Sequence, residues 1–361
     1  MESGDGYIVR IRPRLARLTA EQARGVAKAA LTHGSGEMDL TSRANLQLRG
    51  VRYEAHESLI ADLAALGLLD DDPETEAKRN IVTAPDWREG DDTQRIAEAL
   101  TLAIPALPDL PTKFGFAVDA GYTRALAKTS ADIRIERGAA GDLILRADGA
   151  ALGAPVTPET AVQQAISLAF WFMESGGAEV GRMARHLTAK SLPEDWATKA
   201  PAQTAPQPQP GETPLGPLIG APFGALNAKT LLRQLDASGA EAIRLTPWRL
   251  LLLEGGAPVE DAEIITQGDD PLLNVDACPG APACGSATVA TRALARRLAP
   301  LAKDRLHVSG CAKGCARPRA AALTLTGRDG RFDLVKNGAA WDAPVMTGLA
   351  PDDLPDVIGN A

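Results

Sequence analysis

Four cysteines are the residues of this chain best suited to chemistry. They lie in two short stretches, CPGAPAC from Cys278 to Cys284 and SGCAKGCARP from Ser309 to Pro318, with the spacing C-x5-C-x26-C-x3-C. In a reducing cytosol such cysteines read as metal or redox ligands rather than disulfides. Zinc and 4Fe–4S clusters both accept four thiolates. Zinc knuckles usually hold close pairs about two to four residues apart, so the x5 spacing suits them poorly, whereas a cubane is wider. Glycine and proline crowd both loops and let backbone N–H groups approach the sulfurs. The spacing leaves a cluster, a zinc ion and four unrelated buried thiols open.

The loops must be positioned by regular elements, and those elements come in two similar sets. In LTAEQARGVAKAALTHGSG, Thr19 and Gln22 form a capping box. Ala23, Val26, Ala27, Ala30 and Leu31 make one helical face, and Gly34 can end the helix. A strand follows in which Leu46 and Leu48 alternate with Gln47 and Arg49. In LNAKTLLRQLDASGAEAIRL, Asn227 caps a helix with Leu231, Leu232 and Leu235 on one face and Gly239 at its end, and strands near 243–245 and 250–253 follow. Thr41 corresponds to Thr246 and Gly50 to Gly255. RNIVTAP (79–85) then parallels LNVDACP (273–279), and a helix running into a strand, then a hairpin, follow in both halves. The shared order argues for an internal duplication. Between the halves, APAQTAPQPQPGETPLGP is too proline-rich to build a core and reads as a linker. Thr157 and Pro158 open an amphipathic helix whose Phe170, Trp171 and Phe172 read as core.

The totals set limits. A chain of 361 residues allows about two or three domains. A net charge of −8 argues against nucleic acid as the main partner. MESGDGYIVRIRPRL lacks the apolar core of a signal peptide, and no apolar run approaches a membrane span, so no membrane partner and a cytoplasmic location are expected. No G-x-G-x-x-G motif announces a nicotinamide or flavin domain, so electrons should come from a separate reductase using NADH or NADPH. The histidines His33, His56, His186 and His307 show no metal-binding spacing. Arg317 and Arg319, just after Cys315, either neutralise the cysteine region or pair at the surface.

The duplicated layout and the C-x5-C…C-x3-C motif resemble the sulfite/nitrite reductase superfamily along nearly the whole chain. The resemblance implies an α+β fold built around a pseudo-twofold axis, with two ferredoxin-like half-lobes sharing one domain and two larger α+β domains. The expected divisions are a first half-domain at 1–70, an α+β repeat at 71–198, the linker at 199–217, a second half-domain at 218–260, and a second repeat at 261–361 carrying the cysteines. It further implies that Cys278, Cys284, Cys311 and Cys315 bind one 4Fe–4S cluster. TSRANLQLRGV places a family arginine on Arg43 and adds Arg49; RNIV places another on Arg79, and LPTKFGF places a basic residue on Lys113. Arg43, Arg79 and Lys113 are the expected catalytic cations, and with Arg49 the expected binders of an anionic tetrapyrrole.

Two departures favour one branch of that superfamily. The second basic residue usual after Lys113 is replaced by Gly115, and the chain is short for a sirohaem reductase. The opening GYIVRIRPRLARLT, LTSRANLQLRGV and the cysteine stretches resemble the oxygen-using branch of aerobic cobalamin (vitamin B12) biosynthesis. Its members hydroxylate precorrin-3A at the methine carbon between rings D and A while the ring A acetate closes a γ-lactone. They contain a 4Fe–4S cluster and a non-haem iron, and use dioxygen and reductant. No iron ligands beyond the cysteines are identified from the sequence. The competing readings are a sirohaem-dependent sulfite or nitrite reductase, and an iron–sulfur electron carrier that would leave the basic motifs of the first half unused.

Overall fold

The computed structural model describes residues 2–70 and 72–360; the division expected at residue 71 falls on a residue outside these. Among the described residues the strands form four five-stranded sheets, two built by each half of the chain.

The helix Ala20–His33 begins at the expected capping box. The Thr19 hydroxyl accepts from the Gln22 N–H at 3.1 Å, and the Gln22 side chain accepts from the Thr19 N–H at 3.0 Å. Its face of Ala23, Val26, Ala27 and Ala30 is buried, while Leu31 falls at the exposed edge. The helix Ala228–Ser238 repeats the design. Asn227 caps it at 2.9 Å, Leu231 and Leu235 are buried, and Gly239 ends it at φ +67°. The two helices pack on each other over one core.

Beneath them lie two antiparallel sheets that exchange strands. The first runs Glu2–Ser3, Gly6–Ile11, Leu46–Val51, Glu37–Leu40, and ends with Ala225–Asn227 from the second half. The second runs Gly211–Thr213, Gly216–Gly220, Leu250–Glu254, Ala242–Leu245, and ends with Arg17–Thr19 from the first half. Each half therefore completes the other's sheet, so the edge of each is covered by the other half. The repeat extends to single hydrogen bonds. Thr41 Oγ1 accepts from the N–H groups of Arg43 and Asn45, and Thr246 Oγ1 from those of Trp248 and Leu250. The residues between, Ala44 and Arg249, both hold positive φ.

The other two sheets are also a matched pair. Ile81–Thr83, Phe116–Asp119 and Ile133–Arg137 run parallel, then Leu143–Ala147 and Ala154–Val156 antiparallel. Val275–Ala277, Leu306–Ser309 and Ala321–Arg328 run parallel, then Arg331–Gly338 and Met346–Leu349 antiparallel. Helices Asp92–Leu102 and Ala161–Glu174 cover the first sheet, and Arg292–Leu298 and Leu354–Gly359 the second.

Two local expectations differ from what forms. The helix after Pro158 starts at Ala161, because Thr157 and Thr160 bond each other's N–H groups in a turn that delays it. On that helix Phe172 is core and Trp171 half-buried, but Phe170 is 42% exposed. The proline-rich segment is extended, as its prolines require, yet it is strapped down. Ala202 and Ala205 donate to the carbonyls of Arg137 and Arg124, Ala202 accepts from Arg124 Nη1 at 2.6 Å, and strand pairing resumes at Gly211. No helix is long and apolar enough to cross a membrane among the described residues.

Candidate functional site

Adjacent parallel strands deliver the cysteines. Val275–Ala277 runs straight into Cys278, and Leu306–Ser309 leads through Gly310 to Cys311, so both loops leave the same end of one sheet. The loops are laced together. Thr288 donates to the Gly310 carbonyl, the Thr291 hydroxyl to the Cys278 carbonyl, and the Gly310 N–H to Cys278 Sγ at 3.1 Å. Gly310 has to be glycine: a Cβ there would stand 2.6 Å from Ala287 Cβ and 3.2 Å from Gly280 Cα. Cys278 is buried, Cys284 and Cys311 half-buried, and Cys315 exposed. Burial raises the pKa of Cys315, and Cys311, Cys278 and Cys284 each raise it further. Among the described residues no three His, Cys, Asp or Glu side chains close on a point suited to a single ion. In the first half the equivalent strand ends in Asp119, opposite Glu136 in register, where the second half has Ser309 opposite Thr326.

The basic residues separate into two places. Arg43 and Lys113 meet: Arg43 Nη2 donates to the Lys113 carbonyl at 2.6 Å, and the Lys113 side chain is exposed. Burial lowers the Arg43 pKa; Arg182, Arg10 and Arg12 lower it further, against Asp132. Arg182 is held on Asp132 at 2.8 Å and Arg12 on Glu76 at 3.3 Å. Gly115 belongs to this packing. Its N–H donates to Asp132 Oδ2 at 3.0 Å, and a Cβ would stand 2.9 Å from the Asn80 carbonyl oxygen. Even the first carbon of a lysine would collide there.

Arg79 and Arg49 are engaged inside the protein. Arg79 is buried behind this cluster, with Nε on Asp70 at 2.8 Å and Nη1 on the Arg12 carbonyl at 2.8 Å. Arg49, read from the alternation as a polar strand position, is 5% exposed. Its guanidinium donates to Asp5, Asp39, Ser3 Oγ and the Ala283 carbonyl, which places it against the cysteine loop. Arg10, Arg12 and Arg182 were not singled out from the sequence. The alternating cations of VRIRPR (9–14) carried a signal for the first two; Arg182 had none.

Near Cys315, Arg317 donates to Asp276 at 3.3 Å, beside Arg249 at 2.7 Å, while Arg319 is exposed. His307 is fully buried next to Asp276 in register, its ring nitrogens unpartnered among the described residues, and burial with Arg317 and Arg249 lowers its pKa to about 4. His33 bonds Asp62 and His186 bonds Ser175, each at 2.7 Å, and His56 is exposed.

The duplicated sheets give these groups a common floor. Across the first sheet, Arg10, Gln47 and Asp39 stand in register on one face, and Arg49 shares it. The second half reaches that face twice, through the Ala283 carbonyl on Arg49 and through Arg292 on Asp39 at 2.5 Å. Across the second sheet the corresponding row is Leu218, Leu252 and Arg244, and Leu218, Leu250 and Leu252 are sealed beneath Trp248 and Leu273. One fold thus carries two related faces, one polar and turned to the cysteine loops, the other closed with leucine.

Residues 1–66 match the nitrite/sulfite reductase ferredoxin-like half domain. The chain is 30% identical to a precorrin-3B synthase of Sinorhizobium sp, over 95% of this chain and 82% of that protein. It is 25% identical to a ferredoxin–nitrite reductase of Synechococcus elongatus, over 98% and 85%. The fold is shared with the NirA protein of Mycobacterium tuberculosis at a TM-score of 0.63 and 18% identity, covering 98% of this chain and 79% of that one. With this motif, this duplicated fold and similarity of that extent, the chain belongs to the precorrin-3B synthase family, a branch of the nitrite/sulfite reductase superfamily.

Proposed function

We propose that the chain is an oxidoreductase of cobalamin biosynthesis that hydroxylates precorrin-3A at the methine carbon between rings D and A, with lactone closure by the ring A acetate. The observation that carries this reading is the polar face of Arg10, Gln47, Asp39 and Arg49, joined to the cysteine loop through the Arg49 bond to the Ala283 carbonyl, together with the cations Arg43 and Lys113, which meet each other. A tetrapyrrole rimmed with carboxylates needs such a site. Arginine forks pair with carboxylates, and a local cationic pocket selects a polyanion despite an acidic chain.

The cysteine set fits a 4Fe–4S cluster. Its four thiols lie on two loops that leave the same end of one sheet, and one already accepts a backbone N–H, the kind of bond that tunes cluster potentials. Cys278, Cys284, Cys311 and Cys315 would hold it, and when bound it supplies single electrons. The protein's own residues bind and orient. Arg43 and Lys113 hold the carboxylate rim so that one of several similar methine carbons is presented for oxidation. One oxygen atom enters the substrate and the other leaves as water, with two electrons and one proton from a reduced nicotinamide through a separate reductase and the second proton from solvent.

The sirohaem-reductase reading is the runner-up, supported by the similarity to nitrite reductases. Gly115 weighs against it, because the packing at that position excludes the second basic side chain. The deciding assay supplies precorrin-3A, reductant and isotopically labelled dioxygen to the anaerobically purified protein and follows product mass. One labelled oxygen atom in the product is expected. An unlabelled product, or rapid sulfite or nitrite reduction by the same preparation, overturns the proposal.

A further inference from the structure

Cys284 is a ligand candidate whose loop is held from both halves of the chain. It lies in mid-loop, six residues after Cys278; within the second half its N–H donates to the Gly280 carbonyl at 2.8 Å and its carbonyl accepts from the Ala287 N–H at 3.0 Å. The first half adds a second set of contacts. The Ala283 carbonyl, one residue before Cys284, accepts from Ser3 Oγ at 2.8 Å and from Arg49 Nη2 at 3.1 Å. Gly4, between Ser3 and Asp5, sits so close that a Cβ would be 2.7 Å from both the Pro282 carbonyl oxygen and the Gly285 nitrogen. The tip of the N-terminal hairpin thus grips the chain on both sides of Cys284.

Arg49 is the centre of this grip. It is buried between Asp5 and Asp39, each at 3.1 Å, and Asp39 also holds Arg292, which opens the helix following the cysteine loop. Two arginines and two carboxylates balance in charge, as a buried ion network must. The network spans the halves at two points, Ala283 and Arg292, that bracket the loop.

We propose that Arg49, with Ser3, Gly4 and Asp5, is a latch that positions Cys284. It acts from the first half of the chain on a ligand of the second, and is a positioning group rather than a clamp for substrate. The consequence for the cluster rests on the 4Fe–4S reading above; the consequence for the thiol does not.

The test uses the full chain with Arg49→Lys, which keeps the charge but loses the fork, and Gly4→Ala, which leaves Arg49 intact and wedges the contact. In the metal-free protein, alkylation of each cysteine by a maleimide is timed by peptide mass mapping. Losing one charge-assisted bond should speed Cys284 labelling by about tenfold. Cys311, whose loop makes no hydrogen bond to Arg49 among the described residues and touches the Cys284 loop at Gly310 and Lys313, is the internal comparison and should change much less. In the cluster-loaded protein the same variants should lose iron to a chelator faster and show altered electron paramagnetic resonance of the reduced cluster. Wild-type rates at Cys284 in both variants, or equal acceleration at Cys311, overturns the latch. Thiol rates that respond as expected in a protein that binds no iron and sulfide would leave the latch standing and remove the cluster reading instead.

Discussion

Arg43 occupies a costly position for a cation: burial disfavours its charge, and Arg182, Arg10 and Arg12 repel it, with Asp132 the opposing carboxylate. An incoming carboxylate relieves that repulsion, so such a group gains more from an anion than a solvated surface arginine does. Replacing Arg43 with Ala should weaken binding of a polycarboxylate tetrapyrrole by about ten- to hundredfold, the worth of one charged hydrogen-bonding partner. Binding titrations at rising salt should also show a shallower loss for the variant, because fewer charges are screened. Equal affinity in variant and wild type would remove Arg43 from the site. Asp119 shows the opposite imbalance. It is 2% exposed, and burial, with Asp86 and Glu136, pushes its carboxyl from 3.8 up to about 7, against the Leu126 N–H and Arg124. Between those values the folded protein holds a proton that the unfolded chain has lost, so stability falls as pH rises through the window. Asp119→Asn keeps an oxygen for the Leu126 N–H and never ionises. Its unfolding free energy should match wild type near pH 4 and exceed it at pH 8, by at least ~1 kcal/mol at ~1.4 kcal/mol per pKa unit, with a melting temperature raised at pH 8 alone. A difference that does not change with pH would show that Asp119 is not the titrating group.

At the scale of elements, the cysteine loops depend on a close approach that a methyl group would prevent. Gly310→Ala would push Ala287 and Gly280 away from Cys311, and Cys278 Sγ, 3.5 Å from the added carbon, would lose its fit to the Gly310 N–H. The variant, like a Ser replacement of any one cysteine, should retain its far-ultraviolet dichroism and lose most of its iron and sulfide on chemical analysis. Full iron and sulfide in two of the single Cys→Ser variants would discard the four-thiolate assignment. These loops were legible in the sequence because their signals are local: glycine, proline and cysteine at fixed offsets. The helix at Thr19 was legible for the same reason, since a capping box is complete within four residues. Thr157 and Pro158 carried the same kind of signal, but a second threonine at 160 competed for it and moved the start. Arg49 could not be placed by alternation, because alternation tells which face a side chain takes and not what later covers that face. Its partners Asp5 and Ala283 lie 44 and 234 residues away. The difference between the two sheet faces was hidden likewise: Arg10, Gln47 and Asp39 become one row only after three strands pair.

The whole molecule is held together by reciprocity. Leu18 and Leu226, at the centres of the exchanged strands, are 0% and 3% exposed, and each pairs with a strand of the opposite half, Leu18 with Ile243 and Leu226 with Met38. A half expressed alone would present an unpaired sheet edge and the uncovered face of its helix, Ala20–His33 or Ala228–Ser238. It would also lack the partner residues of the common core. The covalent link matters much less. Pro206 and Gln207 are exposed, and the segment around them bonds to the first half mainly through residues before 206. A chain divided between Pro206 and Gln207 should therefore behave as two obligate partners. Fragments 1–206 and 207–361 made separately should leave the strands Leu46–Val51 and Leu250–Glu254 open to hydrogen exchange, because neither sheet is complete. Mixed, they should regain protection in both strands and melt in one transition. The midpoint of that transition should rise with protein concentration, since association has replaced an intramolecular contact. Protection of either strand in its isolated fragment at the level of the intact chain would show that the half-sheets stand alone, and the exchanged strands would then join two finished domains instead of completing one.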